Sequence, residues 1–91
     1  MISNKEQEIM SILQEESAEI VQAVSKIFRF GYESKHPDKD QNNREHLAEE
    51  IGDMLAMVQL VIENKIVDWQ AVEIAKDKKF EKLQRWSTVM N

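Results

Sequence analysis

Two acidic stretches decide how this sequence folds: EESAE at residues 15–19 and EEIGD at residues 49–53. Each lies inside a longer run whose apolar residues recur every three or four positions, as in an amphipathic helix. At roughly 100° per residue, Glu16 falls within the apolar face of its run and Glu50 falls inside the margin of the other. In each stretch a second acid follows three residues later, about one turn on. The sequence therefore predicts two helices, each with a carboxylate pair on or beside its apolar face.

Caps and breakers set the expected helix boundaries. The first helix should span 5–30 after Ser3 or Asn4 and end at Gly31, the second should span 44–64 after Asn42 or Asn43, and the third should span 69–86 after Asp68. The expected apolar face of the second helix includes Ile51, Leu55 and Val61. Residues 31–43 hold the only proline and no aliphatic side chain, which predicts an exposed loop with room for one short helical turn. The predicted fold class is all-α, an antiparallel bundle of three main helices.

Composition limits the function classes. The net charge of −5, from 17 acidic and 12 basic residues, argues against binding to a nucleic acid polymer. No apolar run is long enough for a membrane span, and the N-terminus lacks a signal-peptide pattern. The absence of cysteine excludes a disulfide framework and a thiolate nucleophile. We therefore expect one globular, cytoplasmic domain over residues 1–91.

The predicted core is thin for the apolar surface it must cover. Three helices in 91 residues leave aromatic side chains on the third helix and at the end of the first without a partner, which favours self-association. We expect a homodimer or homotetramer that completes the bundle.

The repeated acid pairs predict a metal site. A carboxylate in an apolar face is costly unless a positive charge meets it, and oxygen-only ligands suit Mg²⁺ or Mn²⁺. Spacing i, i+3 puts both acids of a pair on one side of a helix. Two helices can thus present Glu16, Glu19, Glu50 and Asp53 to one ion. The alternative is a solvated charge cluster without a metal, and the repetition of the pattern argues against it.

Basic residues near these helices are candidates for phosphate binding. Lys76 and Lys79 project from the apolar face of the third helix, where they either snorkel to solvent or bind phosphate oxygens. His46 lies one turn before Glu50 and could hydrogen-bond that carboxylate or a phosphate, or it could have only a structural role.

Three local motifs resemble the MazG-type all-α nucleoside triphosphate pyrophosphohydrolases: QEESAEI at 14–20, LAEEIGDML at 47–55 and KFEK at 79–82. The resemblance covers about residues 5–86 and is closest to short, single-domain members, including phage-encoded ones. It implies Mg²⁺-dependent cleavage of a nucleoside triphosphate, a dNTP in particular, between its α- and β-phosphates. It also implies that Glu16, Glu19, Glu50 and Asp53 are the metal ligands. The polar loop at 31–43 and the Lys82-Leu83 pair depart from the family pattern, so they leave substrate selection open.

The chemistry that this resemblance implies is attack of a water molecule on the α-phosphorus. Glu15 or a metal-bound carboxylate would take the proton, and Lys79, with Lys76 or Arg44, would stabilise the leaving pyrophosphate. Two alternatives remain. One is a related diphosphohydrolase that acts on phosphoribosyl-ATP or a dUTP-type substrate, and the other is a non-catalytic helical module whose acidic face docks a basic partner.

Overall fold

Three helices form the secondary structure of residues 1–90, the range that a computed structural model describes: α1 (Asn4–Phe30), α2 (Asn43–Glu63) and α3 (Trp69–Trp86). The predicted all-α fold is confirmed. Each predicted helix is present, and the predicted boundaries differ from the observed ones by a single residue at most. No helix in this range combines the length and apolarity that a membrane crossing requires.

The helix starts are set by side-chain caps. The Ser3 hydroxyl accepts a hydrogen bond from the Glu6 amide, and the Glu6 carboxylate accepts one from the Ser3 amide, which completes a capping box. Asn42 and Glu45 form the same reciprocal pair at the start of α2. Asp68 caps α3 by accepting from the Ala71 amide. These contacts explain why short polar residues before each apolar run locate the helix starts well.

The α1–α2 loop is pinned at both ends. Gly31 ends α1 with φ of 88°, a conformation that favours glycine, and its carbonyl accepts from the Asn43 side chain at 3.0 Å. Farther along, Lys35 and Asn42 form an isolated antiparallel bridge. The loop is built from turns and this bridge, without the short helical turn for which the sequence left room.

Helices α1 and α2 pack together and run antiparallel, since Ile9 meets Met57 and Val61 near one end while Glu16 meets Glu50 farther along. Ile9, Met57 and Val61 are buried, and Ile12, Leu13 and Ile66 pack around them. The predicted face of α2 was partly wrong. Ile51 and Leu55 are 43% and 61% exposed, whereas Met57 is buried.

Helix α3 packs on neither of the other helices beyond a marginal contact, and none of its residues is buried. The chain is consequently flat, with extents of 45 × 38 × 15 Å. Its radius of gyration is 16.2 Å, against about 12 Å for a compact domain of this length. Because a helix with its side chains is about 10–12 Å across, the molecule is close to one helix layer thick.

Candidate metal centre

Packing of α1 against α2 brings the two predicted acid pairs together. Carboxylate oxygens of Glu16, Glu50 and Asp53 lie within 4.8 Å of one another, close enough to ligate one ion. Glu19 belongs to the same neighbourhood, since it is the residue that contributes most to the raised pKa of Glu50. We call Glu16, Glu19, Glu50 and Asp53 the acid cluster. The i, i+3 spacing and the antiparallel packing together produce this convergence.

The acid cluster strongly perturbs the carboxylate at its centre. The hydrogen bond with Glu19, followed by burial and by repulsion from Glu19, Asp53 and Glu16, raises the pKa of Glu50 from 4.5 to about 7. Burial, followed by repulsion from its acidic neighbours, also raises the pKa of Glu16. Both shifts have the sign expected where carboxylates are held together without a compensating cation.

Two oxygens of the acid cluster lack a hydrogen-bond partner within residues 1–90. They are Oε2 of Glu16 and Oε2 of Glu50, both shielded from solvent. A buried, unpartnered carboxylate oxygen is costly unless an ion or another donor meets it. The residues therefore fit a hard divalent cation on three counts: all donors are oxygen, the donor atoms converge, and two of them are buried and unpaired.

His46 and Gln41 lie next to the acid cluster at the start of α2. The His46 Nε2 atom is 3.6 Å from Oε1 of Glu50, one helical turn away, and this imidazole is itself largely buried. Gln41 donates a hydrogen bond of 2.7 Å to Oε2 of Glu49, the outward-facing acid beside Glu50. His46 thus lies beside Glu50, at a distance longer than that of a hydrogen bond.

Glu15 and Arg44 lie outside the group of converging carboxylates. Glu15 is exposed, although its charge contributes to the raised pKa of the adjacent Glu16. Arg44 stacks over the Tyr32 ring at 4.3 Å, and its Nε atom is 3.9 Å from Glu33. Arg44 is thus engaged with the loop rather than with the acid cluster.

The two predicted lysines of α3 also lie apart from the acid cluster. Lys76 forms an ion pair with Glu73 on its own helix, at 3.1 Å. Lys79 is exposed on the same helix, which makes at most a marginal contact with one of the other two helices. A single chain therefore does not bring Lys76 or Lys79 onto the packed α1–α2 pair.

Sequence reasoning missed a cleft of about 270 Å³ between the end of α1 and the loop. We call it the basic cleft, because its lining includes Lys26, Lys35, His36, Lys39 and His46. The available signal was weak: two lysines and a histidine in a polar loop, with Lys26 one turn before the aromatic Phe30.

A family model identifies the chain independently of this geometry. The MazG nucleotide pyrophosphohydrolase domain matches residues 4–86, a range that contains all three helices and the whole acid cluster. No curated protein and no solved structure shows a significant match. The resemblance inferred from the three motifs is confirmed by this match. The chain belongs to the MazG nucleotide pyrophosphohydrolase family.

Proposed function

We propose that this chain hydrolyses nucleoside triphosphates, deoxynucleoside triphosphates in particular, to the monophosphate and pyrophosphate with Mg²⁺ as the cofactor. Family membership supports nucleotide pyrophosphohydrolase activity in general. The substrate class, the identity of the metal and the roles of individual residues are the proposed part.

The observation that carries the proposal is the convergence of carboxylates from two helices, with buried oxygens left unpaired. Oxygens of Glu16, Glu50 and Asp53 lie within 4.8 Å of one another. Glu19, whose side chain raises the pKa of Glu50, would be the fourth ligand. Mn²⁺ would fit the same oxygen donors. Unpaired buried carboxylates destabilise a fold, so their concentration at one point favours a binding role over a purely structural one.

The chain's own residues would orient the substrate and move one proton. When bound, Mg²⁺ supplies positive charge that neutralises the phosphoryl oxygens and makes a neighbouring water more acidic. Glu15, exposed beside Glu16, would take the proton of the attacking water. The oxygen of that water bonds to the α-phosphorus as the bond from phosphorus to the bridging oxygen breaks. That bonding pair leaves with pyrophosphate. His46, 3.6 Å from Oε1 of Glu50, would orient that carboxylate from the side of the loop.

We further propose that the active form is a homodimer or homotetramer. The support is the large apolar surface that one chain leaves open, chiefly Phe28, Phe30, Leu55, Trp69 and Trp86, each more than half exposed. Exposure on this scale is unusual for a monomer. A second chain would also offer a route by which Lys76 and Lys79 could approach an acid cluster.

A nucleotide panel tests the proposed activity. Pyrophosphate and nucleoside monophosphate would be quantified after incubation of each ribo- and deoxyribonucleoside triphosphate with Mg²⁺ or with a chelator. We expect both products in equal amounts, only with metal, and a loss of at least about a hundredfold in Asp53→Asn. The matched control is Glu8→Gln, which neutralises an exposed acid on α1.

Three other results would each contradict a different part of the proposal. Turnover confined to phosphoribosyl-ATP or to dUTP would identify the related diphosphohydrolase instead. Absence of turnover together with tight binding of a basic peptide would identify an interaction module. Full activity of Asp53→Asn at saturating Mg²⁺ would refute the metal assignment.

A further inference from the structure

The basic cleft concentrates positive charge in a chain whose overall charge is −5. Lysine side chains approach it from the last turns of α1, at Lys26, and from the loop, at Lys35 and Lys39. The described residues that line the cleft include no Asp or Glu. Two exposed carboxylates lie beside lining residues, with Asp40 at 3.6 Å from Lys35 and Asp38 at 3.9 Å from His36 Nδ1. A ligand that enters this cleft therefore meets a surplus of cations, which selects for negative charge.

The basic cleft adjoins the acid cluster through two residues that belong to both neighbourhoods. His46 lines the cleft, and its Nε2 atom is 3.6 Å from Oε1 of Glu50. Gln41 also lines the cleft and donates to Glu49. His46 and Glu50 are separated by one helical turn, a rise of about 6 Å. A single extended polyphosphate can therefore reach from the acid cluster into the cleft.

We propose that the basic cleft binds the two terminal phosphates of the triphosphate, the part that leaves as pyrophosphate, while the α-phosphate lies at the acid cluster. This inference rests on the proposed function, since it assigns the two ends of that substrate. Lysine acts as a compact point charge toward phosphate and suits an anion that must also depart. The leaving group gains negative charge as the bond breaks, so cations placed around it favour the transition state over the bound substrate.

The lysines of the cleft are better placed for this role than those of α3 within one chain. Lys76 is held by Glu73, and α3 makes at most a marginal contact with one of the other two helices. Lys26, Lys35 and Lys39 lie around one concave site that touches a neighbour of the acid cluster. The competing occupant is the nucleobase, for which Phe30 and Pro37 offer an apolar wall. The cationic lining favours phosphate, and the experiment separates the two.

The test compares two double variants of equal charge. Lys35→Gln/Lys39→Gln removes two cations of the cleft, and Lys5→Gln/Lys78→Gln removes two exposed lysines that do not line it. Calorimetry would measure the binding of inorganic pyrophosphate and of a nucleoside monophosphate to each protein in Mg²⁺ buffer. Steady-state kinetics would then give KM and kcat for the preferred triphosphate. Circular dichroism would verify that each variant keeps its helical content.

For the cleft variant we expect pyrophosphate binding to weaken about tenfold and KM to rise by a similar factor, since two charge-assisted contacts are lost. Its monophosphate affinity should change by less than about threefold, and its dependence on salt should become weaker. The control pair should match the wild type within about twofold. Unchanged pyrophosphate binding in the cleft variant would overturn the inference. Altered base preference with unchanged pyrophosphate binding would overturn it in favour of a base pocket.

Failure of the proposed function gives a different pattern. A wild-type protein that turns over no triphosphate refutes the hydrolase, and the calorimetric comparison still judges the cleft. Pyrophosphate binding that depends on Lys35 and Lys39 would then support an anion site in the cleft. If the protein hydrolyses triphosphates but its affinity for pyrophosphate does not depend on Lys35 and Lys39, the proposed function stands and only the role of the basic cleft is refuted.

Discussion

Replacing Glu50 with Gln should stabilise the metal-free protein at alkaline pH while abolishing its activity. Glu50 is 6% exposed as a residue, and its Oε2 atom has no hydrogen-bond partner among residues 1–90. Its hydrogen bond with Glu19, together with burial and the neighbouring acids, raises its pKa from 4.5 to about 7. The folded state therefore holds this proton more tightly than the unfolded state does. The stability that comes from the protonated group is complete below pH 4.5 and is lost as pH rises through 7.

The gain in stability at alkaline pH can be calculated from the difference between the folded and unfolded pKa values of Glu50. A shift from 4.5 to about 7 corresponds to at most about 3–4 kcal/mol, and solvent access at Glu19 and Asp53 reduces this to about 1–2 kcal/mol. Gln resembles the protonated acid and can still donate to Glu19. We therefore expect Glu50→Gln and wild type to unfold alike at pH 4.5. At pH 8 the variant should be more stable by about 1–2 kcal/mol, or roughly 5–10 °C in Tm.

The assay is urea and thermal unfolding at pH 4.5, 6 and 8 in chelator, followed by circular dichroism. Glu8→Gln serves as the control, because it removes one exposed negative charge from α1 and should shift stability by less than about 0.5 kcal/mol at every pH. Loss of the 3.6 Å contact with His46 will offset part of the gain. A stability difference that is the same at pH 4.5 and pH 8, or a variant less stable at pH 8, would refute the reasoning.

Three further predictions follow from the same structure. Mg²⁺ or Mn²⁺ should raise Tm, and absence of any thermal shift at millimolar metal would favour the interaction module. Because the ion must displace the proton of Glu50, calorimetry should find that the affinity for the metal is about tenfold lower at pH 6 than at pH 8. Light scattering at micromolar concentration should report a dimer or tetramer. If active sites are shared between subunits, a mixture of Glu50→Gln and Lys79→Ala subunits should regain activity. An active 10.7 kDa monomer would exclude both the oligomer and the shared site. Gly52→Ala should stabilise α2 by about 1 kcal/mol, since an added Cβ meets nothing within 4 Å, whereas a loss of assembly would locate a partner there.

The parts of the fold that depend on local sequence could be predicted. Caps at Ser3, Asn42 and Asp68 make contacts with residues three positions away, so the helix starts follow from short patterns. The buried face of α2 could not be predicted as well, because its apolar residues extend around more than one side. Contact with Ile9 of α1 decides that Met57 is buried while Leu55 remains open.

The candidate site also has one part that local sequence predicts and one part that depends on how the chain folds. Glu50 and Asp53 share one side of a helix by their spacing, so their convergence with Glu16 needs only that α1 and α2 pack antiparallel. The basic cleft depends on how the loop folds back. Lys26 lines the cleft from α1 and Lys39 lines it from the loop, and no local spacing predicts that they share it. The roles assigned to these residues stay predictions until the variants are measured.

The loop that joins α1 to α2 separates what this fold must keep from what it can exchange. Residues 31–40 are exposed throughout, while Gly31 and Asn42 anchor the two ends. Substitutions at exposed loop positions usually change stability by less than about 0.5 kcal/mol, and added loop length costs little. Apart from Lys35 and Lys39 of the basic cleft, the sequence between the anchors can therefore drift without disturbing the acids that α1 and α2 hold together. Loop grafting between relatives that retains both anchors together with Lys35 and Lys39 offers a route to new substrate preferences, while the proposed pyrophosphate contacts and the α1–α2 pair stay in place.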